Sequence, residues 1–321
     1  MAVTVPGWGI GAGVFMVQVN PFKRLKTRLL LMAFIAIGAA AGLLLSILDA
    51  LGVLPFGTDD PLLIPLIYIL VFGGVCATVL WQGRPNLRLS ALMGNFPGRF
   101  SWPFGTALTV CLLMFSMGAF QVSYYLLSFV QPTWVEGTLQ EAPAIFAPAE
   151  TVGPGVYGVM IVLSIVVVAP LAEEFIFRGI LLHRWQTKWG TPFAVISSSL
   201  FFGMLHPNPV GLSVFGVVMA LLYLQTRSLW VPIFCHGLNN LLTIGLEVWA
   251  TQVSQDNPVD TLAEFRDNWW IGLIFIAVAA PVLVRYISRT WRYIREPLPY
   301  FVNVAAKSPG GQLPKDQFPN G

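Results

Sequence analysis

Apolar runs long enough to cross a lipid bilayer recur along this chain, and nothing else in the sequence constrains its fold as tightly. A hydrocarbon core of about 30 Å needs roughly 20 consecutive apolar residues in a helix. Such runs fall at 29–52, 61–81, 103–130, 154–183, 191–206, 209–226, 229–250 and 269–288. Of the 321 residues, 56% are hydrophobic and only 10% are charged, against about 25% charged in soluble globular domains. A soluble fold has no interior large enough for that much apolar surface. The expected architecture is all-α, a polytopic membrane protein with about eight transmembrane helices. The fifth and sixth runs are short and meet at His206-Pro207-Asn208-Pro209, so they are also compatible with a helical hairpin that stops short of crossing.

Charge placement tests that count. With the N-terminus in the cytoplasm, Lys23, Arg24, Lys26, Arg28, Arg84, Arg88, Arg99, Arg184, Lys188, Arg227, Arg285, Arg289, Arg292, Arg295, Lys307 and Lys315 all fall on the cytoplasmic side. The opposite segments carry Asp59, Asp60, Glu136, Glu141, Glu150, Asp256, Asp260, Glu264 and Asp267, with Arg266 their only base. This is the positive-inside asymmetry, and it is satisfied by eight spans with both termini cytoplasmic, as expected for a multi-pass protein of the plasma (inner) membrane. The net charge of +3 then reflects topology, and the expected surroundings are the lipid bilayer, with no nucleic-acid partner. Residues 1–20 lack a basic region ahead of their apolar residues, so the first span is expected to act as an uncleaved anchor. Cys76, Cys111 and Cys235 all lie in apolar runs, and an odd number gives no disulfide framework. The expected organisation is a cytoplasmic N-terminal segment (1–28), one integral membrane domain (29–290) with its motif-bearing core at 150–245, and a mobile cytoplasmic tail (291–321).

Three ionisable residues interrupt the fourth run, in Glu173-Glu174-Phe175-Ile176-Phe177-Arg178. A charged side chain at membrane depth costs roughly 2.5–3.5 kcal/mol on insertion scales, so its presence there signals function by default. Glu174 and Arg178 are four apart and share a helix face, whereas Glu173 points about 100° away. One carboxylate is therefore compensated by a cation and the other is left for acid–base work. Pro170 cannot donate a backbone hydrogen bond, which opens the helix locally where hydrolysis would need water. The competing structural reading is an ion pair between helices, with Glu173 facing an opening.

Two of the three histidines also sit within apolar runs, on other helices. His206 closes Phe202-Gly203-Met204-Leu205-His206, and His236 opens His236-Gly237-Leu238-Asn239-Asn240, in which His236 and Asn240 share a face. At about 1.5 Å per residue, Glu173 and His236 lie at compatible depths for one cavity opening to the cytoplasm. His183, beside Arg184, reads as an interfacial residue, Phe177 and Phe202 read as packing residues, and Cys235 reads as a buried apolar side chain.

Glu-Glu-x-x-x-Arg, then Phe-x-x-x-His, then His-x-x-x-Asn resembles the three-motif signature of the CPBP family, the CAAX proteases and bacteriocin-processing enzymes, whose best-known branch is the type II CAAX prenyl endopeptidases. The resemblance covers about residues 150–245. It implies an intramembrane endopeptidase acting on a peptide or lipidated protein substrate, including a prenylated CAAX-type C-terminus. In that scheme Glu173 is the general base and His206 holds and polarises the attacking water. His236 and Asn240 donate to the developing oxyanion, and Glu174 and Arg178 orient the site. No cofactor is required. Two histidines and a carboxylate are also a catalytic zinc set, and members of the family are commonly called metalloproteases, so zinc is the alternative, although no HExxH is present. Readings from other classes are a proton- or ion-coupled transporter and a catalytically silent scaffold; the lack of internal repeats weighs against inverted-repeat transporters.

Overall fold

The structure is a computed structural model that describes residues 20–53, 60–83, 86–140, 151, 153–253 and 262–307. Asp59, Arg84, Glu141, Glu150, Asp256, Asp260 and Lys315 lie outside the described residues, as do 1–19 and 308–321. Among the described residues, regular structure is helical throughout. The helices are α1 (Thr27–Ala50), α2 (Leu63–Gly83), α3 (Leu89–Met93), α4 (Trp102–Ser128), α5 (Pro132–Gln140), α6 (Pro154–Trp189), α7 (Thr191–Met204), α8 (Pro209–Thr226), α9 (Trp230–Val253), α10 (Leu262–Asp267), α11 (Trp269–Thr290) and α12 (Pro299–Ala306).

All eight apolar runs are helical. Among the described residues six helices, namely α1, α2, α4, α6, α8 and α11 with its continuation to Arg295, are long and apolar enough to cross a membrane. The other two fall short for different reasons. With 14 residues, α7 spans about 21 Å, less than a hydrocarbon core. In α9 the 24 residues suffice in length, but His236, Asn239, Asn240 and Glu247 dilute its hydropathy. Proline lies in the first turn of α4, α6, α7, α8 and α12, where its missing N–H would have had no intrahelical partner and its fixed φ suits the helix.

The core is built around α8, which is apolar on every side and correspondingly surrounded. Phe215, Val218, Met219, Ala220, Leu221, Leu222 and Tyr223 are all buried, against α7, α4 and α9. The pairing of α4 with α11 depends on small residues: a Cβ on Gly118 would lie 2.6 Å from the Gly272 carbonyl oxygen, so the two backbones are in contact there. The α7–α8 hairpin is not free at its tip. Tyr124 donates to the Pro207 carbonyl (2.8 Å), and the Asn208 amide donates to the Ser116 carbonyl (2.7 Å) while its oxygen caps the first turn of α8 at Gly211. Residues 205–208 are thereby fastened to α4.

Two expectations change. The stretch after Thr290 does not begin as a mobile tail: Trp291–Arg295 continues α11 as a 3-10 turn, and α12 packs with Pro299, Tyr300, Phe301 and Val304 buried. His183 is not interfacial but fully buried, stacked on Phe22 (ring centroids 4.6 Å apart) and edged by Tyr300 and Phe301. One cause underlies both corrections. The aromatic side chains of the N-terminal turn and of α12 have apolar faces to bury, and the end of α6 is where they meet.

Candidate active site

Helix α6 is irregular where it carries its charges. Ser164–Val168 and Phe175–Leu181 are π-helical turns on either side of the regular turn Ala169–Glu174. Widened turns of this kind mark functional sites often, and here the sequence supplies a cause, because Pro170 offers no N–H to the preceding turn. Carbonyls freed in that way need donors from elsewhere. The Asn240 amide supplies one to the Ile165 carbonyl, at 2.8 Å. Gly237 permits the approach, since a Cβ there would lie 2.7 Å from the Val166 carbonyl oxygen. So α9 docks on the irregular part of α6 through Gly237 and Asn240, and this docking carries His236 to the carboxylates.

Glu174 is wholly buried, and one of its oxygens, Oε1, accepts from both Arg178 Nη1 (2.8 Å) and His236 Nδ1 (2.9 Å). The guanidinium is held on its other sides by the Gly216 carbonyl (3.2 Å) and by the face of Phe202, 4.7 Å from its centroid. Glu173 has a different environment. Its Oε1 accepts from the Tyr68 hydroxyl at 2.8 Å, and its Oε2 is buried with no hydrogen-bond partner. That oxygen faces His236 Nε2 at 3.8 Å and His206 Nε2 at 4.0 Å. Both separations exceed a direct hydrogen bond and suit a bridged one.

The histidine tautomers follow from their partners. His206 Nδ1 lies 2.7 Å from the Phe202 carbonyl, an acceptor only, so the proton is on Nδ1. His236 Nδ1 faces a carboxylate oxygen and is the donor there as well. The Nε2 atoms of both rings therefore point toward Glu173 Oε2.

These atoms border a cavity of about 1210 Å³ whose walls come from α1, α2, α4, α6, α7, α8, α9 and α11. Its lining is mostly apolar, with Tyr68, Glu173, His206, His236, Asn239 and Asn240 among its polar groups. A large apolar pocket with a few converging polar side chains is the usual form of a binding site. All six residues expected from the sequence are thus brought together, with two refinements. Glu174 serves His236 as well as Arg178, and one Asn240 N–H is already engaged by the α6 backbone. Tyr68 escaped the sequence reading; the available signal was a phenol within an apolar span, a group that needs a partner when buried.

The donor chemistry around Glu173 Oε2, two imidazole nitrogens and a carboxylate, is of the type zinc accepts. Among the described residues, however, no group of three or more His, Cys, Asp or Glu side chains is placed to hold a metal ion.

Residues 155–242 match the family described as type II CAAX prenyl endopeptidase Rce1-like. This segment is similar to an Rce1-like domain. It contains Glu173, Glu174, Arg178, His206, His236 and Asn240, while Tyr68 lies outside it. The chain is similar to a Bacillus subtilis protein described as "Putative membrane peptidase YdiL", 35% identical over 92 residues, which is 28% of this chain and 37% of that one. It is also similar to human "CAAX prenyl protease 2", 28% identical over 116 residues, 29% of this chain and 35% of the relative. The match therefore spans little more than a third of either relative's length. No solved structure matches.

Proposed function

We propose that this chain is an intramembrane endopeptidase in which Glu173 activates a water molecule. The observation that carries this reading is the buried, unpartnered Oε2 of Glu173 facing two imidazole Nε2 atoms across gaps of 3.8 and 4.0 Å. A water molecule in that gap donates one hydrogen to Glu173 and the other to His206, which leaves an oxygen lone pair free for attack.

Geometry assigns His236 its part. Its Nδ1 faces Glu174 at 2.9 Å and its Nε2 faces Glu173 at 3.8 Å, so in its doubly protonated form the ring donates to Glu174 and presents Nε2–H to the cavity. In the reaction the water oxygen bonds to the scissile carbonyl carbon, and Glu173 takes the water proton. His236 Nε2–H, together with the remaining Asn240 N–H, then stabilises the oxyanion. Collapse of the tetrahedral intermediate breaks the C–N bond. The proton held by Glu173 passes to the leaving nitrogen, giving a carboxyl group and an amine. Tyr68 and the Glu174–Arg178 pair hold the two working side chains in place.

The substrate we propose is a membrane-associated peptide or lipidated protein, with a prenylated CAAX-type C-terminus first among candidates, because both the matched family and the human relative bear that description. The predominantly apolar cavity suits a lipidated chain. We place both termini in the cytoplasm and the protein in the plasma (inner) membrane on the charge asymmetry of the sequence, with 29–290 as the membrane domain.

The test is hydrolysis of prenylated and unprenylated peptides by purified protein in detergent. Cleavage by the wild type, abolished in Glu173→Ala, His206→Ala and His236→Ala, is the expected result. Absence of cleavage in the wild type, with ion flux in vesicles that Glu173→Ala removes, would replace this reading with that of a transporter.

A further inference from the structure

A second cavity lies away from the carboxylates, between the start of α4 and the end of α11. It measures about 490 Å³, and Arg285, Arg289 and Arg292 all line it. Their spacing of four and then three residues puts them on one helix face. Clustered positive charge of this kind is normally answered by carboxylates, yet no acidic side chain lines the cavity. Among the described residues the guanidiniums of Arg285 and Arg289 have no hydrogen-bonding or ionic partner, while Arg292 donates to the Tyr293 hydroxyl (3.3 Å) and lies within electrostatic reach of Glu296. The nearby acid Glu296 is taken up by Arg227 at 3.0 Å.

Below the arginines the cavity wall turns apolar. Phe104 of α4 and Val282 of α11 line it and are also 46% and 44% exposed, so the groove is continuous with surface that faces lipid. A free phosphate would use the arginines but not that wall. An acyl chain alone would use the wall but not the arginines. An amphiphile with a negative headgroup uses both, and basic pockets between transmembrane helices at the cytoplasmic end bind such headgroups.

We propose that this groove is a binding site for an anionic phospholipid, with the phosphate held by Arg285, Arg289 and Arg292 and an acyl chain lying along Phe104 and Val282. The site is separate from the carboxylate cluster, and its occupancy does not depend on what that cluster catalyses. A resident lipid there would bridge α4 and α11.

The experiment uses the full chain, delipidated in detergent and titrated with phosphatidylglycerol or phosphatidylcholine, with bound lipid counted by native mass spectrometry. Near-surface arginines contribute about fivefold each to anionic-lipid affinity. The expected result is retention of phosphatidylglycerol over phosphatidylcholine by at least about tenfold. Arg289→Gln is expected to weaken phosphatidylglycerol about fivefold, and the triple glutamine variant on the order of a hundredfold. Arg289 is exposed, so the single variant folds and keeps the test decisive even if the triple variant does not. Equal retention of the two lipids, unchanged affinity in Arg289→Gln, or complete displacement of the lipid by inorganic phosphate would each overturn the proposal.

Discussion

Glu173→Gln separates the proposed chemistry from structural roles because it should move activity and stability in opposite directions. The substitution keeps the shape of the side chain and the Tyr68 hydrogen bond, since the amide oxygen accepts from the hydroxyl as the carboxylate does at 2.8 Å. It removes the charge from an oxygen that has no donor. Loss of a general base costs about 10²–10⁴-fold in rate, or about 3–5 kcal/mol at the barrier. Stability should hold or improve, by up to about 2.5 kcal/mol, the low end of the cost of a charge at membrane depth. The assay pairs initial rates of peptide hydrolysis with thermal unfolding of the same detergent preparation. A variant that unfolds well below the wild type would show that Glu173 holds the helices together. One that cleaves at wild-type rate would remove it from the reaction altogether.

Other substitutions probe the groups around it. Tyr68→Phe keeps the ring stacked on Phe72 (centroids 4.3 Å apart) and removes one hydrogen bond to a charged group, worth about 1.5–3 kcal/mol; steady-state kinetics should show kcat down by about tenfold or more with little change in KM. Asn240→Ala leaves the Ile165 carbonyl without its donor, so thermal unfolding should register a loss of about 1–3 kcal/mol besides any loss of rate. Arg178→Met strands Glu174 and should destabilise by about 3–5 kcal/mol, with part of the loss recovered in Arg178→Met/Glu174→Gln, as a double-mutant cycle of unfolding midpoints would show. Hydrolysis should survive a strong chelator; activity lost to chelation and restored by zinc would replace the metal-free scheme.

What the sequence made legible was local. The eight helical segments follow from runs of apolar residues, and the Glu174–Arg178 pair follows from a spacing of four. What it hid was contact between distant segments. Tyr68 meets Glu173 across 105 positions, and Asn208 meets Ser116 across 92; a lone tyrosine or asparagine carries no periodicity that points to its partner. The His236–Glu174 hydrogen bond was hidden for another reason. Four-residue spacing gives Glu174 one obvious partner, and nothing in sequence shows that the same oxygen accepts a second donor. His183 was misread because Arg184 beside it suggested an interface, whereas the packing of Phe22 and Phe301 around it depends on both ends of the chain.

The irregularity of α6 explains why a site with such expensive groups can form at all. A regular helix satisfies its own backbone and offers a neighbour nothing polar to grip, so a helix carrying His236 would be placed only by side-chain packing. Pro170 and the π turn before it leave the Ile165 carbonyl for Asn240, and Gly237 brings the two backbones close enough for that bond to form. His236 precedes Gly237 and lies four residues from Asn240, so the clamp that satisfies the backbone also fixes the imidazole against Glu174. On this view Gly237→Val should impair the site without touching a reacting group: the added side chain meets the Val166 carbonyl, pushes α9 away and breaks both the Asn240 bond and the His236–Glu174 bond. The measurable signature is a loss of stability together with a loss of rate, unlike Glu173→Gln. A Gly237→Val protein that stays as stable as the wild type would mean that something other than this clamp positions His236.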